Sequence, residues 1–114
     1  MANFEDYRIT AIFSEYFFRE KGIIETKELL NKFFTLVRLS KASYYNTIAM
    51  CEATGIITRN SKTTFYFNPE KFVEFIRAVK KSNPRMIDEI KRAGDLQGAN
   101  ENEAVLWADG LNAL

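Results

Sequence analysis

Residues 39–57, LSKASYYNTIAMCEATGII, constrain the fold most, because a helix start, an apolar stripe, a helix stop and a strand start follow one another directly. Ser40 is a good N-cap, since its hydroxyl can accept a bond from an otherwise unpaired amide of the first helical turn. Behind it Tyr44, Ile48 and Cys51 recur at spacings of four and three. One stripe therefore faces a core, while Lys41, Ala42, Ser43, Tyr45, Asn46 and Met50 lie outside it. Turning the helix by about one residue would bury Tyr45 and Ala49 and expose Tyr44 and Thr47 instead, and the pattern leaves both phases open. Gly55 supplies the left-handed position that ends such a helix at low steric cost. Ile56 and Ile57 are β-branched and suit a strand.

The flanking sequence extends this pattern. Residues 5–21 carry Ile9, Ile12, Phe13, Tyr16 and Phe17 at helical spacing, with Gly22 as the stop. Ile23 and Ile24 suit a very short strand, and Thr26 can cap a second helix bearing Leu29, Leu30, Phe33 and Phe34. Residues 56–59 and 63–67 read as a hairpin turning at Asn60, Ser61 and Lys62, with Phe65 and Phe67 on one face and Tyr66 on the other. Asn68-Pro69-Glu70 opens a helix, with Asn as cap and Pro at the first position. Its apolar residues Phe72, Val73, Phe75, Ile76 and Val79 form a stripe wider than a three-helix core requires. Ser82-Asn83-Pro84 breaks that helix, and Met86, Ile87 and Ile90 mark a short one ending at Gly94. Asn100 and Glu103 form a capping arrangement before Val105, Leu106 and Trp107, so the end of the chain is either a docked helix or a frayed tail. The fold class expected is α+β, mostly helical, with a domain over 1–81 and a helical extension with an acidic tail over 82–114.

Charge and composition narrow the function. The chain has no histidine and one cysteine, Cys51, which removes the commonest general base, the commonest metal ligand and any intramolecular disulfide. Glycine-rich phosphate loops, GxSxG elbows and calcium-binding loops are missing too, so neither an enzyme nor a cofactor or metal site is expected. Cys51, on the apolar stripe, reads as a small buried hydrophobe. No apolar run approaches the roughly 18 residues of a membrane span, and the N-terminus is too acidic for a secretory signal, so a cytoplasmic protein is expected. The net charge of +1 hides an asymmetry: residues 38–94 hold eleven Lys/Arg against five Asp/Glu, whereas residues 95–114 hold none against four. A basic middle suits a polyanion.

The Leu39-Ser40-Lys41 opening, the internal stripe and Gly55-Ile56-Ile57 resemble the winged helix-turn-helix family of DNA-binding proteins, over about residues 5–80. About four more residues separate Leu29 from Ser40 than in a compact bacterial-type motif, so either the second helix gains a turn or Leu36, Val37 and Arg38 form a longer loop. The bias toward Phe, Ile, Tyr and Lys is also similar to that of small archaeal and archaeal-virus regulators. The resemblance implies a winged helix-turn-helix with a short β-hairpin wing and additional C-terminal helices. It implies a small dimeric transcriptional regulator of double-stranded DNA, with recognition helix 40–54 and wing 56–67. Phosphate contacts would fall to Arg8, Arg38, Lys41, Arg59 and Lys62, and base contacts to Ser43, Tyr45, Asn46 and Met50, with Ser40 at the helix start. The wide stripe on residues 72–79 and Val105-Leu106-Trp107 suggest the homodimer, and the tail acids could lie over the basic surface. Two alternatives stand beside this reading. One is a protein-protein interaction module that docks a protein partner through its C-terminal segment, and the other is a non-specific architectural or replication-associated DNA binder.

Overall fold

The structure, a computed structural model, describes residues 4–36 and 40–114. Its axis is α1 (Phe4–Phe18). The sequence predicts one apolar stripe there, yet every residue over 9–16 is buried, including Thr10, Ser14 and Glu15. Helices from the second half of the chain cause this, because α4 (Pro69–Ser82) and α5 (Met86–Ala93) both pack on α1. The two buried hydroxyls of Thr10 and Ser14 each find a partner. Ser14 Oγ donates to the Thr10 carbonyl, and Thr10 Oγ1 donates to Met86 Sδ at 4.0 Å.

Gly22 is not the stop. The helix ends at Phe18, and Glu20 takes the left-handed conformation at φ 53°. The Lys21 N–H donates to the Tyr16 carbonyl and the Glu20 N–H to the Phe17 carbonyl, the two bonds of a Schellman turn. A side-chain-bearing residue thus holds the position that glycine fills most easily.

Three short strands follow from the β-branched and aromatic runs. They are β1 (Ile23–Glu25), β2 (Ile57–Arg59) and β3 (Thr64–Phe67), antiparallel in the order β1-β3-β2. Ile56 and Thr63 fall just outside the strands, one residue short of the expected bounds. Ile24 pairs with Phe65 and Ile57 with Phe67, which places four buried apolar side chains on the inner face. Between the strands run α2 (Thr26–Leu36) and α3 (Lys41–Thr54). The extra residues of this region lengthen α2 as far as Leu36; Val37 and Arg38 lie outside the described residues. Thr26 is itself the first residue of α2, and its amide donates to the Thr63 carbonyl at 2.8 Å. The chain is α+β and mostly helical.

Asn68 stands before α4 but its side chain makes no cap. Its Nδ2 donates instead to the Gly55 carbonyl at 2.6 Å and to Thr58 Oγ1 at 2.8 Å, tying the end of α3 to β2. The apolar residues of α4 are covered within the chain: Phe72, Ile76 and Val79 are buried, and Val73 and Phe75 half-buried. The wide stripe is explained by α1 on one side and α5 on another.

The end of the chain is a docked helix, α6 (Glu101–Ala113), opened by the Asn100/Glu103 capping box. Trp107 stacks on Phe18 with ring centroids 5.5 Å apart, and Trp107, Ala108 and Leu111 share one core cluster with α1. Met86, Ile87, Ile90 and Leu96 belong to the same cluster, so residues beyond 82 share their core with residues before it. Val105 and Leu106 stay exposed, at 42% and 68%. Among the described residues, no helix is long and apolar enough to cross a membrane.

Glu15 is the charged group inside this core. Its carboxylate pairs with Lys32 and, at 3.5 Å, with Lys21. The loop before α6 closes over it, since a Cβ on Gly98, which sits at φ +77°, would lie 2.5 Å from the Glu15 carboxyl carbon. Burial alone would raise the Glu15 pKa; the hydrogen bond and charge of Lys32, with Lys21, outweigh it and hold the carboxyl below its ordinary range.

Two stability outcomes follow from these details. Glu20→Gly relieves the left-handed strain and should raise the unfolding free energy by about 0.5–1 kcal/mol in urea titration. Glu15→Gln should cost about 2 kcal/mol near neutral pH, because it leaves Lys32 without its counter-charge. A carboxyl whose folded pKa is depressed stabilises fully above its ordinary pKa and loses that contribution as pH falls through the folded value. The gap between the parent and Glu15→Gln should therefore narrow in that acid range; a gap independent of pH would exclude the ion pair as its source.

Candidate functional site

α3 is set at both ends as its sequence predicts. Ser40 Oγ accepts from the Ser43 N–H at 3.2 Å, and Gly55 closes the helix at φ 85°. The phase of the helix is the first of the two open ones: Tyr44, Thr47, Ile48 and Cys51 are buried. Thr47 joins the stripe because its Oγ1 donates to the Ser43 carbonyl at 2.8 Å. Tyr44 packs edge-on against Phe33 with centroids 5.6 Å apart, which locks α3 on α2. Burial pushes the Cys51 thiol up to about 12, so it is a packed hydrophobe with no reactive thiolate.

The outward face of α3 carries Lys41, Ala42, Tyr45, Asn46 and Ala49. Two residues expected there are occupied otherwise. Met50 is half-buried against the core, because its position borders the stripe. Ser43 is half-buried, with its hydroxyl 3.0 Å from that of Ser40, so both serines serve the helix start. Arg38 lies outside the described residues.

The β2–β3 hairpin stands beside α3. Its turn is built by Asn60 Nδ2 donating to Thr64 Oγ1 at 2.9 Å and by the Ser61 and Thr64 hydroxyls 2.7 Å apart. Lys62 is exposed at the tip. Arg59 is tied down: its guanidinium lies 4.0 Å over the Phe65 ring, donates to Thr26 Oγ1 at 3.4 Å and stands 3.9 Å from Glu52. It clasps α2, α3 and the hairpin together and is no longer a free cation. Arg8 is half-buried on α1, where burial lowers its pKa.

Lys27 was not among the expected contacts. The bond from the Thr26 amide to Thr63 brings the start of α2 to the hairpin, and Lys27 and Lys62 line one depression there. Its only sequence signal is its place one residue after the helix start. Among the described residues, Lys27, Lys41 and Lys62 have no hydrogen-bonded or ionic partner. Between α3 and the hairpin runs a groove of about 240 Å³, lined by Leu30, Tyr45, Ala49, Glu52 and Arg59 among others.

The acidic tail does not cover this face. Asp95 accepts from the Tyr7 hydroxyl at 2.6 Å, Glu103 pairs with Arg19 at 3.4 Å and Asp109 with Lys91 at 3.3 Å, all on α1, its end or α5. No group of three or more His, Cys, Asp or Glu among the described residues is placed to hold a metal ion.

Comparison of the chain with protein-family models, with curated proteins and with solved structures finds no match.

The phase of α3 is directly measurable. Tyr44→Ala should cost about 3–5 kcal/mol of unfolding free energy, as for other buried aromatics, while Tyr45→Ala, at a 56% exposed position, should cost under about 1 kcal/mol. Reversed costs in chemical denaturation would mean the helix is turned by one residue.

Proposed function

We propose that this chain is a winged helix-turn-helix DNA-binding protein, in which α3 enters the major groove and the β2–β3 hairpin lies along the neighbouring backbone as the wing. The order α1-β1-α2-α3-β2-β3, with β3 between the other two strands, is the arrangement such domains have. The observation that carries the reading is the outward face of α3. It combines a leading Lys41, a bidentate-capable Asn46 and the small Ala42 and Ala49, which let the helix backbone approach a surface closely.

The division of labour follows from the chemistry. Lys27, Lys41 and Lys62 meet phosphates, each releasing counterions and adding salt-dependent affinity. Asn46 pairs with an adenine edge, and Ala42 and Ala49 touch thymine methyls. Regulation of transcription is the simplest use of such contacts. A homodimer on a two-fold site rests chiefly on the exposed Val105 and Leu106, since of the other apolar residues proposed for it Phe72, Ile76, Val79 and Trp107 are buried within the chain and Val73 and Phe75 half-buried. The same exposed Leu106 favours the second reading, a module that docks a protein through α6.

Replacing Lys27, Lys41 and Lys62 together by Ala should weaken duplex binding across sequences and flatten log affinity against log salt by roughly 0.9 per lost phosphate contact. Asn46→Ala should instead relax sequence preference, costing about 1–3 kcal/mol at the cognate base with little change in slope. A folded triple variant that binds duplex DNA as the parent does, across the whole salt series, overturns the α3 reading and leaves protein docking through α6.

A further inference from the structure

Half of the basic block lies away from α3 and the hairpin. Over residues 77–92 the chain holds Arg77, Lys80, Lys81, Arg85, Lys91 and Arg92 against Asp88 and Glu89. Two of these cations are engaged: Lys80 donates to the Asn112 carbonyl at 2.6 Å, and Lys91 pairs with Asp109 at 3.3 Å. Arg77, Lys81, Arg85 and Arg92 are exposed and have no ionic or hydrogen-bonded partner among the described residues. Arg77 and Lys81 stand one turn apart on the outer face of α4, opposite Phe72, Ile76 and Val79. Arg85 and Arg92 flank a depression of about 360 Å³ on α5, where Asp88 already accepts from Asn112 at 3.4 Å.

Helix dipoles account for only part of this. Lys81 and Arg92 sit in the last turns of α4 and α5, where a cation is favoured. Arg85 stands at the N-cap of α5, where the dipole opposes a positive charge and a capping side chain is missing. The corner also lacks what a protein interface requires. Exposed large apolar residues are found at Ile23, Tyr45, Tyr66, Val105 and Leu106, and none lies on α4 or α5. Protein partners bind through buried aromatic or aliphatic anchors, whereas phosphates need only unpaired cations, with arginine favoured for its forked geometry.

We propose that the α4–α5 corner, through Arg77, Lys81, Arg85 and Arg92, is a second phosphate-contacting surface for duplex DNA, separate from α3 and the hairpin. It rests on the DNA-binding reading and extends it: the chain meets the duplex backbone at two places, and much of its affinity is independent of sequence.

The test compares two variants on a long duplex of mixed sequence over a salt series. One carries Arg77→Gln, Lys81→Gln, Arg85→Gln and Arg92→Gln; the other carries Lys27→Gln, Lys41→Gln and Lys62→Gln. Unchanged thermal unfolding establishes that each is folded. The first should flatten the salt slope by roughly 0.9 per contact, about 3 to 4 in all, and lower affinity at low salt. Parent-like affinity and slope would overturn the proposal, as would loss of binding to poly-glutamate with duplex binding intact, which would assign the corner to an acidic protein. Loss in the first variant with none in the second keeps this surface and removes the α3 reading. Loss only in the second does the reverse.

Discussion

Everything in this molecule is arranged around a helix whose residues 9–16 are all buried. A helix buried on all sides needs partners on every face, and the first half of the chain cannot supply them. The sheet and α2 offer Ile24, Leu29, Phe33 and Phe65 to the shared core, while α4, α5 and α6 add Phe72, Ile76, Met86, Ile90 and Trp107. Phe67 binds the two halves, lying 5.8 Å from Phe13 and 5.7 Å from Phe72 between ring centroids. Removing residues 95–114 would therefore open the core along Phe18 and α5, so deletion is a poor probe of what the tail does at the surface. Single surface charges report on binding without that penalty.

The same packing sorts the charges. Asp95, Glu103 and Asp109 are each consumed by a nearby hydroxyl or cation on α1, its C-terminal end or α5, and Glu15 takes up Lys32 and Lys21. Among the described residues, exposed cations without an ionic or hydrogen-bonded partner stand at Lys27, Lys41 and Lys62 near α3 and the hairpin and at Arg77, Lys81, Arg85 and Arg92 on α4 and α5, while exposed carboxylates without one stand at Glu20, Glu25, Glu70 and Glu101. A net charge of +1 is thus a poor guide to the surface, because it does not record where the unpaired charges of each sign lie.

Local rules were readable in the sequence wherever one residue decides one geometry. Ser40, Gly55, Pro69, the Asn100/Glu103 box and Gly94 set helix ends where capping chemistry places them, and the alternation of Phe65, Tyr66 and Phe67 gives the hairpin its inner face. Features that depend on distant segments were not readable. Thr10 and Ser14 are polar residues in an amphipathic pattern and are nevertheless buried, Thr10 against Met86, which arrives from far along the chain. Propensity favours glycine at a left-handed position and so points to Gly22, while the hydrogen bonds to Tyr16 and Phe17 put that position at Glu20. Asn68 follows the cap consensus, yet the free Gly55 carbonyl nearby is the better acceptor for its amide. In the candidate site, the exposed residues of α3 were legible from its stripe up to one choice of phase. The loss of Arg59 to the scaffold and the arrival of Lys27 were not, because both depend on where α2 meets the hairpin.

Arg59 shows how magnitude decides between roles for one side chain. Its approach to Glu52 at 3.9 Å, with both side chains nearly half exposed, is worth little, since such pairs contribute about 0–1 kcal/mol. The hydrogen bond to Thr26 at 3.4 Å is long and adds little more. The contact that distinguishes it is the guanidinium 4.0 Å above the ring of Phe65, a residue only 1% exposed, where a cation–π interaction contributes about 0.5–2 kcal/mol. Swinging out to a phosphate would forfeit that contact and uncover Phe65. Arg59 therefore fixes the spacing between α3 and the hairpin, and the neighbouring free lysines are left to meet whatever binds there, on a frame that does not have to rearrange.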